Sequence, residues 1–96
     1  MLLIVVNFPP IKEGKEGEFL DWFIWSSREL GRFEGFINRR LLKPVEGGTY
    51  VAVVEYESRE AFMAVQASPI HDEAGKRVAP LLTAPPSPQL YEVVAW

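Results

Sequence analysis

Residues Leu2 to Phe8, LLIVVNF, form a largely apolar run that is greasy on both sides. In an extended chain Leu2, Ile4, Val6 and Phe8 project one way while Leu3 and Val5 project the other. The stretch Tyr50 to Val54 repeats the pattern, with Tyr50, Ala52 and Val54 opposed to Val51 and Val53. An antiparallel sheet with one wet face alternates apolar and polar residues along each strand, and these strands do not. Both faces of the sheet they build therefore need cover. The chain has 96 residues, a single domain that buries about two-thirds of its unfolded surface, and it has helix enough for one face only. The second face is expected to pack on another sheet, most simply that of an identical partner related by two-fold symmetry. A homodimer is the expectation.

The rest of the chain fills in the order of elements. Pro9 and Pro10 stop the first strand. In KEGKEGEFLDWFIWSSREL, Phe19, Phe23 and Leu30 fall on one helical stripe and Gly31 offers a stop. GFINRRLLKP and TYVAVVEYES are extended runs around VEGG, whose glycines supply positive-φ positions for a hairpin. Ser58 caps a short helix through REAFMAVQA. Ser68 and Pro69 start another, with serine at the cap and proline at the first helical position. Ile70, Ala74, Val78 and Leu81 recur along it at helical spacing, APPSP ends it, and QLYEVVAW reads as a last strand. The order β-α-β-β-α-β, with its second helix broken, is that of the ferredoxin-like fold: an α+β domain over residues 1–96 with an antiparallel sheet.

Composition narrows the chemistry. A net charge of -3, with RR and scattered lysines as the basic features, gives no footprint for nucleic acid or an anionic membrane, and neither is expected as a partner. Without cysteine there is no disulfide or thiol nucleophile, and a lone histidine makes no histidine-rich zinc centre. The glycines of KEGKEGE have the wrong spacing for a phosphate-binding loop. MLLIVVNF lacks the basic flank and length of an export signal, and no run approaches membrane-spanning length, so a cytoplasmic location is expected.

With these elements in place the chain resembles the antibiotic biosynthesis monooxygenase family of dimeric α+β barrel proteins. The resemblance rests on IKEGKEGEFLDWF, on FEGFINRRLLKPVEGGTYVAVVEYESREAF and on LYEVV, and it covers nearly the full length. One departure is Glu34, where the family typically has proline. The resemblance implies a homodimeric barrel with an apolar pocket between sheet and helices. It also implies, for enzyme members, cofactor-independent monooxygenation of aromatic polyketides or quinols, with haem degradation in another branch. A small apolar or aromatic molecule is the expected ligand, without cofactor or metal. A non-catalytic small-molecule-binding or stress-response protein of the same fold is the alternative.

Five residues are the candidate site. His71 stands near the third position of its helix, where free N–H groups and the helix dipole favour neutral imidazole, while Asp72 and Glu73 pull its pKa upward. A neutral histidine beside an apolar pocket can take a proton from a phenol or quinol, which lets an electron-rich ring meet dioxygen. The alternative is an exposed first-turn histidine. Asn7, on the face of Leu3 and Val5, matches an asparagine of the haem-degrading branch and is the expected hydrogen-bond partner of substrate or oxygen; otherwise it simply ends the strand. Trp22, Trp25 and Phe62 are expected pocket walls, with ordinary core packing as the other role of the tryptophans. The haem-degrading branch also needs a tryptophan where Val65 stands and an axial histidine near Ala74 or Gly75, so iron ligation in its manner is not expected. Arg39 and Arg40 are adjacent on a strand, so one alone looks toward the pocket; either could pair with a carboxylate or a ligand oxygen, and salt bridging at a sheet edge or dimer seam is their expected role.

Overall fold

The computed structural model describes residues 1–96. Its elements are β1 (Leu2–Asn7), α1 (Glu16–Leu30), β2 (Phe36–Leu42), β3 (Val51–Tyr56), α2 (Arg59–Gln66), α3 (Pro69–Val78), a 3-10 turn (Ala79–Leu81) and β4 (Ser87–Glu92). The strands form one antiparallel sheet in the order β2-β3-β1-β4, the ferredoxin-like arrangement expected from the sequence.

All the helices lie on one face of the sheet. Leu2, Ile4, Ala52, Val54 and Tyr56 are buried there, and the stripe of α1 closes over them through Phe19, Phe23 and Leu30, each under 8% exposed. At one end Phe8 meets Phe19 edge-on at 5.0 Å between ring centroids; at the other, Tyr56 meets Phe36 at 5.7 Å. Such aromatic pairs add directional attraction to the burial of their area. The opposite face carries Leu3, Val5, Val51 and Val53, with Leu42 46% and Tyr91 45% exposed beside them, and no helix of the chain covers it.

Local capping sets the helix boundaries. The Ser58 hydroxyl accepts from the Ala61 amide at 3.1 Å, and the Ser68 hydroxyl accepts from the His71 amide at 3.2 Å while donating to the Val65 carbonyl at 2.6 Å. Ser68 thus starts α3 and ties it to the end of α2, which is why the two helices break where they do.

Gly31 stops α1 as expected, the bounds of the last strand need correction, and β2 carries an irregularity. Gly31 ends α1 in right-handed geometry, φ -67°, because the chain continues in a further turn; the left-handed glycine of this connection is Gly35, φ +86°. The last strand begins at Ser87 and stops at Glu92, opposite Leu2. Only one more bond, Val93 N–H to the Met1 carbonyl at 3.2 Å, follows. In β2 the pairing jumps from Phe36↔Tyr56 to Asn38↔Glu55, so Ile37 is an extra, bulged residue.

Candidate functional site

The helices do not fill the sheet face completely. Between the middle of the sheet and the α2–α3 pair lies a cavity of about 320 Å³, lined mainly by aliphatic and aromatic side chains. Its size falls at the low end of the roughly 300–1,000 Å³ common to small-molecule sites. Ile4, Val6 and Val54 form its floor, and four polar side chains, Arg39, Tyr56, Gln66 and His71, border it.

His71 is carried there by the cap. With Ser68 at the cap and Pro69 at the first position, the third helical residue faces down toward the sheet, half-buried. Its pKa is lowered from the ordinary 6.5, first by burial and then by the positive charge of Arg39, with Asp72 opposing. The imidazole is thus neutral at pH 7 and has a lone pair to offer. The helix-terminus argument points in the same direction, but the causes that lower the pKa here are tertiary.

Of the two adjacent arginines, Arg39 is the one that faces the cavity, and the salt bridge expected of it is not formed. The Ile37 bulge shifts the parity of β2, so that Arg39 pairs with Val54 on the helix side and Arg40 with Val53 on the open side. Arg40 keeps the expected salt bridge, reaching Glu55 at 3.8 Å. Arg39 makes none. Its Nη1 donates to Ser26 Oγ at 2.7 Å, Ser27 Oγ at 2.9 Å and the Phe23 carbonyl at 3.3 Å, and the guanidinium lies 4.1 Å over the Phe23 ring. Burial lowers its pKa to about 10, so it remains a cation at neutral pH. Tyr56 is pushed upward by the same burial and stays a neutral phenol. A β-bulge leaves little trace in sequence, and the adjacent RR was the only signal that one arginine turns inward.

The five expected residues divide. His71, Trp22 and Phe62 line the cavity together. Trp22 Nε1 already donates to the Ala74 carbonyl at 2.9 Å, so the indole offers the cavity its ring and no free donor. Trp25 lies outside: three residues further along α1, it turns to a surface groove with Glu18, Asp21 and Arg77, the Arg77 guanidinium 4.1 Å over its ring. Asn7 also lies outside, exposed on the open face and opposite Val51 and Ser87 in the sheet, because odd-numbered residues of β1 point away from the helices. The pocket roles expected for Trp25 and Asn7 are not found in this geometry.

Val65, Ala74 and Gly75 all border the cavity. They occupy the positions that the haem-degrading branch fills with tryptophan and axial histidine, and none of them ligates iron. The one imidazole present sits a turn earlier, beside a fixed cation. These residues do not fit a haem held in that manner.

A profile of the family described as Antibiotic biosynthesis monooxygenase matches residues 1–77. The cofactor-independent oxygenase SnoaB from Streptomyces nogalater shares the fold with a TM-score of 0.86 at 21% identity, over 99% of this chain and 94% of that one. The heme-degrader MhuD from Mycobacterium tuberculosis, whose structure holds two hemes in its active site, aligns with a TM-score of 0.77 at 30% identity, over 99% of this chain and 97% of that one. No curated protein sequence matches the chain. No helix is long and apolar enough to cross a membrane.

Proposed function

The chain belongs to the antibiotic biosynthesis monooxygenase family, and from that premise we propose that it is a cytoplasmic, homodimeric, cofactor-independent monooxygenase acting on a small aromatic or quinol-like molecule in the cavity. The observation that carries the reading is the His71 imidazole in a mainly apolar cavity that also holds Arg39, an arginine without a counter-ion. His71 is the base. It removes a proton from an activated ring CH2, and Arg39 stabilises the anion that forms. That anion adds dioxygen by one-electron transfer and radical recombination, giving a hydroperoxide. Loss of the second C–H proton expels hydroxide, which leaves as water. One oxygen atom stays as a carbonyl, the other becomes water, and the CH2 carbon supplies all four electrons, so no external reductant enters.

Trp22 and Phe62 hold the ring, and the aliphatic floor keeps water from the anion. One feature favours the second reading, a ligand-binding protein without turnover: the His71 imidazole has no hydrogen-bond partner in the protein to orient it, unlike most catalytic bases. Oxygen uptake with hydroxyanthrones, which carry the ring CH2 and enolise to quinol-like anthrols, separates the two. Uptake that falls by about 100-fold or more in His71→Ala supports the monooxygenase. Uptake unchanged by the substitution removes His71 as base, and ligand binding without any uptake leaves the binder.

A further inference from the structure

The cavity is charged in a way that the reaction above does not require of it before a proton is removed. Among the side chains that line it, Arg39 alone carries a permanent charge, and no carboxylate is present to balance it. Every ion pair in the chain lies on the surface, and none involves Arg39. The three protein acceptors are all taken by Nη1. Nε and Nη2, one edge of the guanidinium fork, have no protein partner. They are not sealed off either, because Asn38 Oδ1 is the sole enclosed polar side-chain atom that lacks a partner. Hydroxyl and carbonyl dipoles spread the charge of Arg39 without neutralising it, and a cation in an apolar cavity is stabilised most by an anion at hydrogen-bond distance.

We propose that the cavity binds a small aromatic monocarboxylate, its carboxylate held by Nε and Nη2 of Arg39 and its ring against Trp22 and Phe62. A single cation matches a single negative charge; a phosphomonoester would bring a second charge into a cavity with nothing to meet it. The remaining lining is mainly apolar, with Tyr56, Gln66 and His71 as its neutral polar side chains, and accepts a hydrocarbon ring. The proposal rests on the cavity being the ligand site, as in the reading above, and narrows the substrate to an acid.

The test is calorimetric titration of the whole chain at pH 7.5 with 2-naphthoate and with its neutral isostere 2-naphthamide. The carboxylate is expected to bind about tenfold tighter or more, and Arg39→Gln to remove that preference. Equal affinities, binding of neither probe, or a preference that survives in folded Arg39→Gln each overturn the proposal. Should Arg39→Gln fail to fold, because Nη1 ties α1 to β2, the wild-type comparison decides alone. Binding of naphthoate without oxygen uptake on any quinol counts against the monooxygenase and leaves the acid site standing. Uptake with neutral quinols, with no preference for naphthoate, does the reverse.

Discussion

At the scale of single residues the site turns on one neutral base held beside one fixed cation. His71 and Arg39 are far apart in sequence and come together only because the fold brings α3 and β2 to the same cavity. Their coupling is measurable without a substrate, since the chain has one histidine and its ring C–H resonance titrates alone. The His71 pKa read by NMR should lie below 6.5. It should rise in Arg39→Gln, which removes a repelling charge, and fall further in Asp72→Asn, which removes an attracting one; opposite movements would refute the geometry. The same shift has a stability consequence. With the folded pKa depressed, the unfolded chain binds the proton more readily, so this group costs nothing above about pH 6.5 and destabilises the fold as pH falls from there through its folded pKa. The sequence placed His71 on the correct turn because Ser-Pro is a strong local start signal. It could not supply the neighbour from another element.

At the scale of elements, the connection from α1 to β2 sets which way the arginines point. Gly35 adopts φ +86°, and a Cβ there would collide with the Ala61 Cβ on α2. Positive φ and close approach both demand glycine, so Gly35→Ala should lower stability by about 2 kcal/mol or more, read as an earlier urea midpoint with unchanged slope. A neutral outcome would mean that α2 does not press on this turn. Immediately beyond, the Ile37 bulge resets the register. The sequence marked both strands of the hairpin and the glycines of its turn through composition and alternation. A one-residue bulge alters neither, so that one arginine turns inward was legible and which of the two was not. Asn7 and Trp25 went astray for a related reason: family position and helical neighbourhood put them near the site, while strand parity and helix rotation put them outside it.

At the scale of the whole molecule, the open sheet face with Leu3, Val5, Val51 and Val53 is the surface on which the proposed dimer depends. Val53 is central, flanked in the ladder by Val5 and Arg40. The wild-type chain is expected to sediment as two copies, and Val53→Glu, which places a charge at the middle of that face, to sediment as one while keeping its helical signal. Wild-type sedimentation as a single chain at micromolar concentration would end the dimer reading. The cavity lies on the other face, between sheet and helices, so a monomeric variant that still binds naphthoate would show each chain carrying a complete site.

The sequence by itself determined the element order, the helix starts and the two-sided apolar strands, because caps, prolines and side-chain alternation act over a few residues and leave their mark in the local string. It also supplied the family and the placement of His71. Only the tertiary structure decided that Arg39 turns inward without a counter-ion, that Trp22 faces the cavity while Trp25 does not, and that burial and a neighbouring charge keep His71 neutral. Those facts depend on register, rotation and distance between elements remote in the chain, quantities that emerge when the layers pack together.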